Sequence, residues 1–305
     1  MNPISGLLAA LGVLTAVYVV GWFNAVRGAG PGRGPDTAHA TDVGFPNAGQ
    51  ILLGAITNFF DALGIGSFAT TTAVFRLFKM VPDRIIPGTL NVGHTLPTVV
   101  QAFIFTAVIP VDVLTLVTMI AAAVLGAWLG AGVVCRWPKR KVQIGMGAAL
   151  LAAATFMFMR QMSLFPAGSE EIGVRGLKLI LALGGNFFLG ALMTLGIGLY
   201  APCMILVSLL GMSERTAFPI MMGSCAFLMP VGSLRFIREQ AYSFRNAVGL
   251  SIGGVVGSYV AAKFFESLDI RTVRWLVIVV VLYTAVTMLI SAASEKPAAA
   301  TPPKA

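Results

Sequence analysis

The sequence predicts an all-α integral membrane protein built as an inverted repeat of two halves. The composition, a duplicated break in the apolar pattern and the placement of the basic residues carry this prediction. Of the 305 residues, 57% are hydrophobic and only 11% are charged, and the mean hydropathy is +0.87. Soluble domains carry about 25% charged residues, so the composition excludes an ordinary soluble protein. The net charge of +9 does not indicate nucleic-acid binding, because the basic residues fall between the apolar runs.

The chain begins with an apolar run over residues 4–23, which is followed by Arg27 and Arg33. A secretory signal carries its positive charges before the apolar run rather than after it. We therefore expect a retained N-terminal span over 1–26, with the N-terminus outside, and a cytoplasmic loop over 27–46.

Two later apolar stretches, 47–79 and 176–211, are too long for one span of about 20 residues. Both are broken in the middle by the same tetrapeptide, LGIG, at 63–66 and at 195–198. When Leu63 is laid on Leu195, Ala69 falls on Ala201 and Pro87 falls on Pro219. The sequence therefore predicts two transporter repeats, over 47–160 and 176–293, followed by a disordered tail over 294–305.

The basic residues favour an inverted arrangement of these repeats. If each LGIG stretch is a re-entrant hairpin followed by three spans, the chain has about seven spans, with its C-terminus inside. Cytoplasmic loops are enriched in Lys and Arg, and this layout places 14 of the 21 basic residues inside: Arg27, Arg33, Arg76, Lys79, Arg84, Arg136, Lys139, Arg140, Lys141, Arg235, Arg238, Arg245, Lys296 and Lys304. A parallel layout divides them almost evenly.

The two breaks predict a binding site at the middle of the membrane. Irregular backbone is tolerated there only where it is buried or lines a cavity, and paired breaks in two repeats point to a transporter site. The helix that restarts after each break presents free N–H groups, which suit an anion. The alternative is that the glycines are packing contacts or kinks. The expected substrate-binding residues here are Gly64, Gly66, Ser67, Thr70, Thr71, Gly196, Gly198, Tyr200 and Cys203.

The spans that follow the hairpins add candidates, namely Asn91, His94 and Thr95 in the first repeat and Ser224 and Cys225 in the second. An ionisable residue as deep as His94 is functional by default. The alternative is a neutral, hydrogen-bonded histidine that orders the bundle. Cys225 would suit a soft ligand, although a buried cysteine is more often a small hydrophobic residue.

Asp61 directly precedes the first break, where the second repeat has Met193. Its side chain either couples transport to protons, as His94 also would, or caps the helix after the turn. The sequence contains no pair with metal-ligand spacing and no motif for ATP use or catalysis. We therefore expect no metal, no cofactor and no enzymatic activity.

The duplicated LGIG hairpins, together with "VPDRIIPGTLNVGHTLP" (81–97) and "APCMILVSLLGMSERTAFPIMMGSCA" (201–226), resemble the sulfite exporter TauE/SafE family, also called TSUP permeases. The family often has a glycine run after G-I-G, where this chain has Ser67-Phe68 and Leu199-Tyr200. The resemblance implies transport of a small sulfur-containing anion, such as sulfite, thiosulfate or an organosulfonate, across the cytoplasmic (inner) membrane.

Together, the residues and the resemblance lead us to expect a proton-coupled secondary transporter. Its anion would bind between two half-helix N-termini. The alternatives are an uncoupled anion channel and a non-transporting scaffold or assembly factor. The expected partners are the anion and the lipid bilayer, with a homodimer as an option and no nucleic acid.

Overall fold

A computed structural model describes residues 3–28, 44–134, 136–164, 170–196, 198–213 and 215–264, together with scattered positions between 275 and 293. A short 3₁₀ helix, Asp83–Ile85, precedes the fourth α-helix. The α-helices over the continuous ranges are α1 (Pro3–Gly28), α2 (Ala48–Ala62), α3 (Ser67–Leu77), α4 (Ile86–Val108), α5 (Val113–Val134), α6 (Lys139–Gln161), α7 (Gly176–Met193), α8 (Tyr200–Leu209), α9 (Ala217–Arg238) and α10 (Phe244–Phe264).

The all-α prediction is confirmed for the residues that the structure describes. They form helices, turns and loops without a strand, apart from one isolated bridge between Glu171 and Met212. Most of the expected cytoplasmic loop at 27–46, the tail at 294–305 and much of the last expected span lie outside the described residues. The described positions between 275 and 293 are all helical.

Among the described helices, α1, α5, α7, α9 and α10 are each long and apolar enough to cross a membrane. The chain is therefore a multi-pass α-helical membrane protein. Helix α4 is as long as these, but it carries several polar residues and most of it is buried by the other helices. The count of seven spans and the sides of the two termini remain predictions.

The helical breaks occur where the two LGIG motifs predict them. Helix α2 ends at Ala62 and α3 begins at Ser67, while α7 ends at Met193 and α8 begins at Tyr200. Gly66 and Gly198 have φ values of +91° and +73°, in a region that favours glycine. The turns are built alike, because the Gly64 N–H donates to the Asp61 carbonyl (2.8 Å) and the Gly196 N–H donates to the Met193 carbonyl (2.9 Å).

The helices pack in matching pairs around a central contact between α4 and α9. Helix α4 also packs on α10, as α9 does on α5. The first hairpin arm, α2, lies on α10, and the corresponding arm of the second hairpin, α7, lies on α5. Glycines allow this close approach: a Cβ at Gly257 would lie 2.0 Å from the Ala55 carbonyl oxygen, and one at Gly126 would lie 1.9 Å from that of Phe187.

At one end of the helix bundle, the start of α2 and the start of α4 lie beside the first turn of α10 and the loop that precedes it. The Gln50 side chain donates to the Asn246 amide oxygen (3.0 Å), and the Ser243 N–H donates to the Thr89 hydroxyl (2.9 Å). Arg136 and Glu239 form an ion pair (3.2 Å). The loops at 136–141 and 236–244 therefore lie at the same end, and the α2–α3 hairpin starts and finishes there.

The opposite end of the bundle holds the start and finish of the α7–α8 hairpin. The Asp112 N–H, just before α5, donates to the Ile172 carbonyl (2.9 Å), and the Ser213 N–H, after α8, donates to the Glu171 carbonyl (2.8 Å). Helix α5 connects the two ends. The two hairpins therefore enter the bundle from opposite ends.

Candidate functional site

The N-termini of α3 and α8 meet at a small cavity inside the bundle. It is lined by both breaks and by α4, through Asp61, Gly66, Ser67, Phe68, Thr98, Met193, Gly198, Leu199 and Tyr200. The volume open to the centre of a water molecule is about 10 Å³, which is room for about one water. Five expected site residues line this cavity: Gly66, Ser67, Gly198, Tyr200 and Asp61.

Asp61 is buried at the N-terminus of α3, with only 3% of its surface exposed. Its Oδ1 accepts a hydrogen bond of 2.5 Å from the Ser67 N–H. The first N–H groups of a helix lack partners within the helix, and a carboxylate there is also favoured by the helix dipole. Asp61 therefore caps α3, which is one of its two predicted roles. Its role in proton coupling remains a prediction.

Gln101 on α4 connects the two halves of the site and is missing from the residues expected from the sequence. Its Nε2 donates to Asp61 Oδ2 (3.0 Å) and to the Ser258 hydroxyl on α10 (2.9 Å). Its Oε1 accepts a hydrogen bond of 2.6 Å from the Tyr200 hydroxyl on α8. All four side chains are buried. The bonds therefore join α2, α4, α8 and α10 around the cavity.

His94 lies behind the cavity wall rather than in it. Its Nε2 is 3.1 Å from the Thr71 hydroxyl, and its Nδ1 is 3.1 Å from Asn58 Oδ1. Its ring centre is 5.6 Å from that of Phe68, which does line the cavity. Both ring nitrogens thus have partners, an arrangement that fits the alternative of a histidine that orders the bundle. Thr70 also stays within its own helix, because its hydroxyl donates to the Ser67 carbonyl (2.9 Å).

Thr95 faces α9, and neither Thr95 nor Asn91 is among the residues that line the cavity. The Thr95 hydroxyl donates to the Asn91 carbonyl (2.6 Å) and lies 3.2 Å from the Ser233 hydroxyl on α9. The Asn91 Nδ2 donates to the Pro87 carbonyl (2.8 Å), and among the described residues its buried Oδ1 has no hydrogen-bond partner. Thr95 therefore joins α4 to α9, whereas Asn91 bonds within α4.

Two residues before each LGIG motif, the first half has a carboxylate and the second half has a thioether. Met193 lines the cavity at the position equivalent to Asp61, and its Sδ is 3.5 Å from Cys225 Sγ. Cys203 and Cys225 are both buried free thiols. Ser224 accepts a hydrogen bond of 2.9 Å from the Asn186 side chain. The two breaks are therefore alike in backbone and different in side-chain chemistry.

Gly64 and Gly196 shape the two turns without lining the cavity. Their φ values are +85° and +91°. A Cβ at Gly196 would meet the Met146 side chain at 3.0 Å, whereas one at Gly64 would meet Met204 and Phe218 at 3.5 Å. Substitution at either position is strained by the backbone, whatever the space around it.

No match was found for the chain in comparisons with models of protein families, with curated proteins and with solved structures. Within the described part of the chain, no three His, Cys, Asp or Glu side chains come together as metal ligands.

Proposed function

We propose that the protein is a secondary transporter that carries a small sulfur-containing anion, such as sulfite, thiosulfate or an organosulfonate, across the cytoplasmic membrane. The observation that carries the proposal is the meeting of two helix N-termini, at Ser67 and Tyr200, at one small cavity. Helix N-termini attract anions through their free N–H groups and their dipoles. Broken helices that supply such ends are a recurring feature of transporter sites.

The proposal includes an inverted repeat of two halves with about seven spans and two re-entrant hairpins. The matched packing of α2 on α10 and of α7 on α5 supports it, as does the entry of the hairpins from opposite ends. In inverted-repeat transporters, one half rocks against the other around a fixed central site. The excess of basic residues at one end of the bundle supports an N-terminus outside and a C-terminus inside.

The side chains around the cavity suit an anion with a hydrogen-bonding part and a soft part. Ser67 and Tyr200 offer polar groups, while Met193 and, behind it, Cys225 offer polarisable sulfur. The resemblance to the TauE/SafE family favours the same class of substrate. A cavity that holds about one water molecule has to widen before sulfite or a larger anion enters. This need for a conformational change favours a transporter over an open channel.

Uptake into liposomes tests the proposal. The purified protein is reconstituted and supplied with labelled sulfite, thiosulfate or sulfoacetate, with and without a pH gradient. We expect uptake of at least one of these anions, with accumulation above the external concentration when the gradient is present. Uptake that only equilibrates and ignores the gradient would indicate a channel. A lack of uptake of all three anions would refute the sulfur-anion transporter.

Two leucine variants connect that uptake to the cavity. Gly198→Leu puts a side chain into the cavity wall, where a Cβ would lie 3.6 Å from Phe68 Cβ. Gly184→Leu on α7 is the matched control, because Gly184 is exposed and no atom lies within 4 Å of its added Cβ. We expect Gly198→Leu to abolish uptake and Gly184→Leu to retain it.

A further inference from the structure

We propose that in the empty protein the Asp61 carboxylate occupies the helix terminus that the substrate anion takes, so that anion binding requires a proton on Asp61. This inference rests on the proposed transport function and names how that site is regulated. It assigns one residue as the proton carrier and fixes the direction of the coupling. Protons and anions would bind together rather than in exchange.

The two hydrogen bonds that Asp61 accepts suit an ionised carboxylate. Oδ1 accepts from the Ser67 N–H and Oδ2 accepts from the Gln101 side chain. Both partners are N–H donors, and an ionised carboxylate only accepts hydrogen bonds. The negative charge that the N-terminus of α3 attracts is therefore already supplied from within the chain.

A second negative charge in the same cavity has no cationic side chain among the lining residues to balance it. None of the nine residues that line the cavity is Lys, Arg or His. The cavity is also too small to separate an anion from the carboxylate. Like charges at close range favour the neutral form of the group that is able to take up a proton. Asp61 is the carboxyl group among the lining residues.

The other ionisable groups near Asp61 do not replace it as the group that takes up a proton when the anion binds. Tyr200 on α8 shares Gln101 with Asp61, and Cys225 on α9 lies beside Met193. Both groups are neutral when protonated and become negative on ionisation. His94 on α4 is behind Phe68 and is bonded to other side chains. Helix α10 contributes the Ser258 hydroxyl through Gln101, and Arg76 lies in the last turn of α3, at its far end from Asp61.

A proton taken up from the medium would neutralise Asp61 at Oδ1. The Ser67 N–H is then released to the anion, and the new O–H becomes a donor. The charge of the proton offsets one charge of the anion. The second repeat has Met193 at the equivalent position, so only one break carries a titratable carboxyl group. The expected ratio is therefore one proton for each anion bound.

The test measures anion binding and proton uptake by the full chain purified in detergent. Thiosulfate, methanesulfonate and nitrate are used as probes, because their charges stay constant between about pH 5 and pH 8. In weakly buffered solution with a pH indicator, each bound anion should remove about one proton from the medium. At pH values at which Asp61 is ionised in the anion-free protein, the apparent anion affinity should fall about tenfold for each unit of rising pH. Linkage of anion binding to one proton requires this slope.

Two variants identify the residue responsible. Asp61→Asn keeps an oxygen for the Ser67 N–H without a titratable group, so we expect anion affinity that no longer depends on pH and no proton uptake. His94→Gln is the matched comparison, because His94 is the other predicted coupling group. It should keep the wild-type dependence of anion affinity on pH. If this pH dependence is lost in His94→Gln and kept in Asp61→Asn, the inference is overturned.

The wild-type protein supplies a measurement that does not depend on the folding of a variant. An infrared difference spectrum, anion-bound minus anion-free, should gain a band from a protonated carboxylic acid. Anion binding without that band and without proton uptake overturns the inference and leaves the transporter proposal standing. Proton-linked binding of nitrate without binding of the sulfur anions overturns the substrate class and upholds the inference. A protein that binds none of the probes overturns both.

Discussion

The close contacts between hairpin arms and their partner helices give a quantitative test of the packing. Replacing Gly257 with Ala would put a Cβ 2.0 Å from the Ala55 carbonyl oxygen. An ordinary contact between carbon and a carbonyl oxygen is about 3.3 Å or longer, so α10 has to move away from α2 by more than about 1 Å. A gap of that size forfeits a quarter to a half or more of each dispersion contact across the interface.

The cost of this change follows from two opposing effects. Overpacking a tight interface typically costs about 1–3 kcal/mol. Here the obstacle is backbone, which cannot rotate away as a side chain does. Replacing Gly with Ala inside a helix returns up to about 1 kcal/mol in helix propensity. We therefore expect a net loss of about 1–2 kcal/mol, which lowers the melting temperature by roughly 2–3 °C for a chain of this size.

The second repeat provides the matched experiment. A Cβ at Gly126 would lie 1.9 Å from the Phe187 carbonyl oxygen, in the equivalent contact between α5 and α7. Gly126→Ala should therefore lower the melting temperature by a similar amount. Gly184→Ala, on α7 but in open space, should not lower it. The assay is thermal unfolding of the three variants in detergent. Wild-type melting of both Gly126→Ala and Gly257→Ala would refute the helix pairing.

Two further predictions concern the ends of the bundle. Arg175 forms two hydrogen bonds of 2.7 Å to Asp112 and holds the pKa of that carboxyl well below its usual range. Because the pKa is lowered in the folded state, the stabilisation is present at neutral pH and is lost as the pH falls below about 4. The melting temperature of Asp112→Asn should therefore be below that of the wild type at pH 7, and the difference should shrink in acid. A difference in melting temperature that stays constant with pH would contradict the lowered pKa of Asp112. Cysteines placed at 136–141 and 236–244 in intact cells should both resist an impermeant thiol reagent, and labelling of one loop alone would contradict the inverted topology.

The breaks in the helices were predictable because they follow from local backbone chemistry. The LGIG motifs put glycine at the positions with positive φ, and α3 begins at Ser67 as predicted. The glycines at 126 and 257 were less informative by themselves. Glycine in a helix predicts a close approach, but the partner carbonyl becomes known only when the helices are packed.

Gln101 was predictable from the spacing of the polar residues on α4. His94, Thr98 and Gln101 are spaced at i, i+4 and i+7, so they lie on one face of α4. That face includes Thr98, which lines the cavity, and Gln101, which bonds to the lining residue Asp61. The depth of His94 along α4 predicted a functional role, but depth alone does not determine which side chains of the helix face the cavity. That depends on Phe68, which comes from another helix and covers the imidazole.

Duplication and divergence explain different parts of the proposed site. The two breaks share glycine positions and turn hydrogen bonds, so the proposed duplication accounts for two helix ends that face one cavity. The proposed divergence accounts for a carboxylate at Asp61 and a thioether at Met193. A symmetric site would have either two carboxylates, which repel each other and the anion, or none, which leaves no proton carrier. In the proposed mechanism, one carboxylate is what links the charge of the substrate to a single proton.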